Sequence, residues 1–392
     1  MTSNFNVKNV LKQNTMLIAL VLVMLFFEVL IQTSGRGSLF SPGNLTNLIG
    51  QNAYVVVLAT GMLLCILTGG NIDLSVGSIV VLVGAIAGTL IVNLQVNIYL
   101  AMLLCLIAGL AIGAWQGFWI AYIRIPPFIV TLAGMLLWRG VALIVLNGLT
   151  ISPFPANYLK YFTSFLPATD NASVAKIITI AVGVVICAIY IALELRSRII
   201  KTRKKYETTP LPAFLAKLII IAVVVIFLSY KLGNNKGLPV ILVLIGIVVL
   251  IYSYFTAKTV PGRYLYAIGG NEKAAKMSGV NTNKMLFFAY ANMGFLAGLT
   301  ALMSVARFNS ASPSAGTNYE LDAIASCFIG GASAYGGTGT VSGAVIGAIF
   351  MGVLNQGMSI IGIDANWQRA VKGFVLLAAV VFDVVSKNKK NT

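Results

Sequence analysis

The sequence predicts an all-α membrane protein that crosses the bilayer about twelve times, and three observations favour this class. Of the 392 residues, 58% are hydrophobic and 9% are charged, and the mean hydropathy is +0.92. A soluble domain is usually about one quarter charged. A helix needs roughly 20 apolar residues to cross the hydrocarbon core. Runs of that kind recur along the whole chain, so we expect a single transmembrane domain over residues 1–392.

Twelve apolar segments follow one another along the chain. They centre on residues 16–32, 51–68, 75–92, 98–122, 127–146, 174–194, 214–231, 238–255, 285–305, 321–335, 340–360 and 366–385. The first follows Lys8 and Lys12 without an evident small-residue cleavage site, so we expect a retained span and not a signal peptide. The tenth is short and rich in Gly, Ala and Ser, which fits either a tilted, buried span or a re-entrant segment.

Positive charge predicts the orientation of these segments, because cytoplasmic loops carry an excess of Lys and Arg. Basic clusters follow segments six, eight and twelve, and all three fall on one side if the tenth segment crosses. We therefore expect both termini in the cytoplasm. The clusters are Arg196, Arg198, Lys201, Arg203, Lys204 and Lys205, then Lys258, Arg263, Lys273, Lys276 and Lys284, then Lys387, Lys389 and Lys390. This placement explains the net charge of +17 without nucleic acid, whose binding needs a basic patch.

The residue inventory argues against catalysis. The chain has no His, so it lacks imidazole acid–base chemistry and His-ligated metal sites. Its cysteines are isolated in apolar segments, as is typical of small core residues. The sequence contains no Gly-Lys dipeptide, and therefore no Walker A loop to hold a nucleotide. We expect no catalytic residue, no metal and no cofactor, and transport fits this inventory better than an enzyme does.

The polar stretch 256–284 is the most ordered region between apolar segments. Gly269 and Gly270 predict a turn, and Asn271 predicts the N-cap of a short helix with Glu272 in its first turn. Gly279 predicts the end of this helix in the left-handed conformation. A short capped helix at the cytoplasmic face indicates a docking element, and an ordinary interfacial helix is the alternative.

Several motifs together resemble a known family. They are "GGNIDLSVGS", "PPFIVTLAGML", "YAIGGNEKAAKMSGV", "SPSAGTNYELDAIASCFIGG" and "YGGTGTVSGAVIGAI". In family order from about Asn44 to Asp383, they closely resemble the membrane permease subunits of bacterial ABC importers for monosaccharides, which include the ribose, galactose and xylose permeases. The chain length resembles the longer xylose or multiple-monosaccharide branch. The resemblance then implies a ten-helix core with an inserted hairpin over residues 207–255.

The resemblance also implies partners and a location. Such a permease lies in the bacterial inner membrane, pairs with itself or a close relative, and is driven by a separate ATPase. A periplasmic or lipid-anchored binding protein delivers the sugar. The ATPase-docking loop of the family corresponds to residues 256–284. Its docking positions correspond here to Gly269, Gly270, Asn271, Glu272, Ala275 and Gly279.

Asp73 lies in a polar break between two apolar runs. A lone carboxylate in a bilayer is costly unless it is paired, capping or hydrated. Asp73 is therefore a structural cap for a helix that starts at Leu74, a cap that also lines the sugar path, or a proton carrier. Asn71 and Ser75 flank the same break. Asn52 and Gln116 are polar within spans, where they either join helices or line the path.

The polar stretch "FNSASPSAGTNYE" precedes the tenth segment and lies outside by the same orientation. Ser312 and Ser314 are therefore candidates to face the binding protein, with an ordinary solvated loop as the alternative. Glu320 and Asp322 follow at the start of the segment. They are first-turn charges of a helix or further contacts of the binding protein.

Two other functions remain open on the sequence. A secondary transporter coupled to protons or Na⁺ would use Asp73, Glu320 and Asp322 as its coupling groups. An ABC permease for nucleosides or branched-chain amino acids would share the architecture and carry another solute.

Overall fold

The computed structural model of the chain describes residues 15–169, 171–206 and 210–391, so Lys8 and Lys12 lie outside the described residues. The helices are α1 (Thr15–Thr33), α2 (Pro42–Leu67), α3 (Val76–Gly88), α4 (Ile98–Ala121), α5 (Pro127–Leu146), α6 (Ala156–Thr163), α7 (Ala172–Arg203), α8 (Leu211–Gly233), α9 (Val240–Lys258), α10 (Val260–Gly270), α11 (Glu272–Met277), α12 (Thr282–Phe308), α13 (Tyr319–Ile329), α14 (Val341–Ile361) and α15 (Ala365–Asn391). A π-helical turn, Thr89–Asn93, extends α3. Two short strands, β1 (Phe165–Leu166) and β2 (Leu238–Pro239), pair antiparallel.

Ten helices in the described part of the chain are long and apolar enough to cross a membrane. They are α1, α2, α3 with its π-helical turn, α4, α5, α7, α8, α9, α12 and α14. The chain is therefore a polytopic helical membrane protein, and these ten coincide with ten of the twelve predicted segments. The other two segments correspond to α13, which has 11 residues, and to α15, which has 27. The total of twelve crossings stays a prediction.

The centre of the bundle is formed by α2, α3 and α12. In the most apolar window of α2, 78% of the residues are buried, whereas in α8 the share is 11%. Small residues bring the central helices close together. A Cβ atom built at Gly113 of α4 would lie 2.8 Å from the Cα of Gly294 in α12. The apolar surfaces of α1, α7 and α8 face outward, as expected for helices in contact with lipid.

Helices α7 and α8 form a peripheral pair. Lys217 of α8 forms a 2.7 Å ion pair with Glu194 of α7, whereas α9 packs against α2. Strand β1 precedes α7, strand β2 follows α8, and the two strands pair with Leu166 opposite Leu238. The chain therefore leaves the core of the bundle after β1 and returns to it at β2, and these two points lie side by side. The boundaries 207–255 of the expected inserted hairpin stay a prediction, because apolar runs identify helices without showing which ones pair. The pairing of β1 with β2 brings the two ends of the stretch 167–237 together, which favours that stretch as the inserted unit.

The bundle has two ends, which we name after α11 and Arg36. At the α11 end, Arg124 after α4 contacts Glu272 of α11. At the Arg36 end, Arg36 between α1 and α2 donates to the backbone oxygen of Ile360 near the end of α14, at 3.1 Å.

Two helices begin inside the bundle. Helix α3 begins at Val76 after a non-helical stretch from the α11 end, and α13 begins at Tyr319 after a stretch from the Arg36 end. The first turn of α3 meets the stretch just before α13, because a Cβ atom at Gly77 would overlap the backbone oxygen of Gly316, and one at Gly316 would overlap that of Gly77. Both chain breaks therefore depend on glycine for this backbone contact.

The tenth predicted segment joins the two ends of the bundle. It follows α12, which ends at the Arg36 end, and after α13 the chain reaches the α11 end, where the Gly337 amide donates to the Leu67 carbonyl at 3.1 Å. The stretch from Phe308 to Thr340 therefore passes from one end to the other, with an irregular first half. This course is that of a broken, buried segment, and its crossing of the membrane stays a prediction.

Candidate functional site

The short helix α11 has the caps that its sequence predicts. The Asn271 side chain accepts the Ala274 amide at 3.0 Å, and Gly279 has a φ of +86°. The expected turn at Gly269 and Gly270 is wrong, because these residues form the last turn of α10. No separate turn is needed, because Asn271 is both the C-cap of α10 and the N-cap of α11.

Glu272 and Ala275 hold α11 to the rest of the chain. Glu272 accepts a 2.7 Å hydrogen bond and ion pair from Arg124, and Ala275 is 5% exposed. Partial burial opposes ionisation of Glu272, but hydrogen bonds from Arg124 and Thr282 outweigh it and lower the pKa of this carboxyl below its usual value. These two docking candidates therefore face inward.

The outer face of α11 is formed by other residues. Lys273, Ala274 and Lys276 are exposed, and Met277 is 89% exposed. An apolar side chain flanked by lysines is thus presented to the surroundings at this end of the bundle. The sequence analysis did not single out Met277, although its position two residues after buried Ala275 indicates the opposite face of a helix.

Three Gly-Gly pairs meet beside α11. Gly269 lies against the backbone of Leu67 and Gly337, and a Cβ atom at Gly269 would overlap the Leu67 carbonyl and the Gly337 amide. Gly336 lies equally close to Gly69 and Gly70. The stretch 256–284 is therefore in backbone contact with the end of α2 and with the turn before α14. We call this contact the glycine junction.

Asp73 lies in a fully buried polar chain. Its Oδ1 accepts the Ser75 amide at 2.9 Å and the Ser75 hydroxyl at 2.6 Å. The Ser75 Oγ in turn accepts from Gln116 of α4 at 2.8 Å. Asp73, Ser75 and Gln116 are each 0% exposed. The α-helix begins at Val76 and not at Leu74, because the Asp73 side chain folds the intervening residues into a turn.

The other two candidates for the sugar path, Asn71 and Asn52, have separate surroundings. Asn71 donates to the Thr68 hydroxyl at 3.1 Å and stays at the end of α2. Asn52 donates to the Ala348 carbonyl of α14 at 2.6 Å, so it joins two helices. The structure thus brings Asp73, Ser75 and Gln116 together and leaves Asn52 apart from them.

Asp322 is buried in the bundle, with 2% exposure. Its carboxylate accepts a hydrogen bond from the Tyr54 hydroxyl and forms a 3.0 Å ion pair with Lys372 of α15. In this chain Asp322 is buried because α13 begins inside the bundle, and its contact with a binding protein stays a prediction. Glu320 lies against Gly77 of α3.

Ser312 and Ser314 remain at the Arg36 end. Ser314 is exposed, Ser312 is partly exposed, and their hydroxyls are 3.0 Å apart. Arg139 of α5 fixes this stretch by donating to the Pro313 and Ala315 carbonyls at 3.2 and 2.8 Å. Their role as receptor-facing residues stays a prediction.

A cavity of about 410 Å³ lies towards the Arg36 end within the single chain. Its walls come from the first half of α2, the end of α6, β1, β2, the start of α9, the last turns of α12, the start of α13, and α14. Asn52 is the one path candidate among its described lining residues. The sequence analysis missed the others because they are far apart in the chain; those that carry polar groups include Gln51, Tyr54, Ser304, Arg307, Tyr319 and Asn355.

Comparison with known proteins identifies the family. Residues 44–380 match the family described as "Branched-chain amino acid transport system / permease component". The xylose transport system permease protein XylH of Haemophilus influenzae is 36% identical over 98% of this chain and 100% of its own length. XylH of Escherichia coli is 36% identical over 95% of this chain and 92% of its own length. The ribose import permease protein RbsC of Escherichia coli is 35% identical over 94% and 93%.

No solved structure was found to match the chain. The family match covers most of the sequence, and the relatives cover nearly all of it. They are sugar permeases, and they are transport components. The chain therefore belongs to this family of membrane permeases of sugar ABC importers, and it is a transport component and not an enzyme.

Proposed function

We propose that this chain forms the sugar path of an ABC importer for xylose or a related aldopentose or aldohexose. A separate ATPase binds the α11 end, which faces the cytoplasm, and a binding protein delivers the sugar to the Arg36 end. A second copy of the chain completes the membrane unit. Both chain termini then lie in the bacterial cytoplasm.

The exposed face of α11 is the observation that carries this proposal. Glu272 and Ala275 attach the helix to the chain, while Lys273, Lys276 and Met277 point away from it. A rigid helix with one attached face and one free face suits contact with a moving partner. The glycine junction supports the same function, because it couples the docking loop to α2 and α14 through backbone atoms.

The substrate rests on the relatives. Two of them are named as xylose permeases and one as a ribose permease, so D-xylose is the first sugar to test and D-ribose the second. Radiolabelled uptake by cells that express the complete transporter tests both. A preference for a nucleoside or a branched-chain amino acid over both pentoses would refute the sugar assignment.

A pull-down from detergent-solubilised membranes tests the docking surface. The double variant Lys273→Glu and Lys276→Glu reverses charge on the free face of α11. Lys204→Glu with Lys205→Glu is the matched control at another basic site. We expect the ATPase to co-purify with wild type and with the control, and to be lost from the α11 variant.

Two other results would contradict the proposal. An ATPase retained equally by both variants would refute docking at α11. Robust sugar uptake by the lone chain in liposomes would favour a secondary transporter instead, with Asp73 as the first candidate for its coupling group.

A further inference from the structure

The cavity towards the Arg36 end has the size and lining of a small-molecule site. Ligand pockets usually enclose about 300–1,000 Å³ and combine apolar walls with a few placed polar groups. This cavity has about 410 Å³, and its aromatic residues include Tyr54, Phe162 and Tyr319. Its space is therefore sufficient for a monosaccharide.

The polar lining suits an uncharged, hydroxyl-rich ligand. Among the described residues that line the cavity, Arg307 is the one charged side chain, and none is a carboxylate. Gln51, Asn52 and Asn355 add amide groups that both donate and accept hydrogen bonds. A cationic ligand would find no counter-ion here. A hydroxylated ring would find donors and acceptors on several sides.

Two lining residues have an unused acceptor. Asn52 is 7% exposed, and its Oδ1 accepts no hydrogen bond from any described residue; the same holds for the buried Oδ1 of Asn355. Buried polar atoms without a partner are uncommon, because leaving one unpaired costs free energy. A ligand hydroxyl can donate to such an oxygen after a small side-chain rotation.

Two stacked aromatic side chains line the cavity. The rings of Tyr54 and Tyr319 stack with centroids 3.7 Å apart. The Tyr54 hydroxyl donates to buried Asp322, which is paired with Lys372. This arrangement gives the buried ion pair a positioning role: it fixes the ring that a sugar would contact.

We propose that this cavity is a binding site for a neutral monosaccharide within each single permease chain. Asn52, Gln51 and Asn355 bind the hydroxyl groups, and Tyr54 with Tyr319 contacts the carbon face of the ring. The site receives sugar at the Arg36 end before it moves further along the path. This inference deepens the proposed function and rests on it.

Cysteine labelling tests the site on the purified chain in liposomes. The four natural cysteines are buried, so an introduced cysteine supplies the reactive thiol. Gln51→Cys and Asn355→Cys place it in the cavity. Ser359→Cys is the matched control, because Ser359 is exposed one turn further along α14 and does not line the cavity. The reagent is a small hydrophilic methanethiosulfonate, added with D-xylose, D-ribose or sucrose at equal osmolality.

We expect a pentose to protect both cavity variants. At about twice the dissociation constant of the sugar, labelling slows about threefold, because two thirds of the sites are occupied. A site that is specific for monosaccharides is not protected by sucrose, and the control is modified at one rate in all solutions. Equal labelling with and without pentose, or protection by sucrose as well, overturns the proposal. So does a cavity that stays unreactive throughout, as a lipid-filled site would be.

Uptake by the complete wild-type transporter separates the two failures. If D-xylose and D-ribose are both transported but neither slows the labelling of the cavity variants, only the cavity proposal fails. If neither sugar is transported while another solute is, the proposed function fails, and the cavity proposal fails with it.

Discussion

The free face of α11 gives the sharpest prediction, through Met277. This side chain is 89% exposed in the chain, so it contributes little to the fold. If the ATPase buries it, the interface gains the transfer free energy of a methionine, about 1.5–3 kcal/mol. Because 1.4 kcal/mol corresponds to tenfold in affinity, Met277→Ser should weaken ATPase binding by about tenfold to about a hundredfold.

The assay compares binding with stability. The dissociation constant is measured by titrating the purified ATPase onto the chain in nanodiscs, and the unfolding temperature is measured on the same samples. Met277→Ser should leave that temperature unchanged, since substitutions at exposed positions usually alter stability by less than about 0.5 kcal/mol. Ala275→Arg should do the reverse and lower it, because Ala275 is 5% exposed.

Tyr206→Ser serves as the control for binding. Tyr206 is 63% exposed and follows α7, so the variant removes an exposed aromatic group away from α11. An unchanged dissociation constant for Met277→Ser would refute the assignment of this face. An equal loss for Tyr206→Ser would show a general effect of surface polarity and would refute it as well.

Three further predictions concern the chain itself. Gly269→Ala should lower the unfolding temperature and reduce sugar-stimulated ATP hydrolysis, because the added Cβ atom would overlap the backbone of Leu67 and Gly337. Gly270→Ala should do neither, because nothing lies within 4 Å of its added Cβ atom. Equal effects of the two variants would refute a role for the glycine junction. The pKa of Glu272 is lowered in the folded chain, so its ionised form contributes up to about 1 kcal/mol to the free energy of unfolding. This contribution is present above pH 4.5 and is lost as the pH falls through the folded pKa. Glu272→Gln should therefore flatten the dependence of the unfolding temperature on pH in that range, and an unchanged slope would contradict the reasoning. A further variant deletes 167–237 and joins Leu166 to Leu238 by a two-residue turn, which antiparallel strands accept. We expect this protein to stay monodisperse in size-exclusion chromatography, whereas a variant that lacks 207–255 should aggregate. The opposite result would refute the assignment of 167–237 as the inserted unit.

Local signals made much of the fold predictable. Long apolar runs identified the helices because the bilayer requires such runs wherever the chain crosses. The caps of α11 were predictable because Asn271 and Gly279 act within one or two turns of the chain. Pairing was not predictable in the same way. The sequence of α8 and α9 contains no local sign that β1 and β2 close the chain around α7 and α8.

The candidate site was predictable only in part, for the same reason. Asp73, Ser75 and Gln116 were selected as polar residues in apolar surroundings, and the structure joins them in one hydrogen-bonded chain. Asp322 was selected differently, as a charge at the start of a segment after a polar loop, and its partners Tyr54 and Lys372 are distant in sequence. An acidic residue after a polar loop is expected at the surface from the sequence alone. Its burial here results from the start of α13 inside the bundle, which the local sequence does not indicate.

The glycine junction and the cavity lie at opposite parts of the same two helices. The junction touches the end of α2 and the turn before α14, while the cavity is lined by the first half of α2 and by Gly352 and Asn355 of α14. Asn52 connects these helices by donating to Ala348. Because a packed helix moves largely as a rigid rod, displacement of α11 by a partner would be transmitted to both walls of the cavity. If α11 binds the ATPase and the cavity binds the sugar as proposed, this arrangement provides a mechanical route from one to the other.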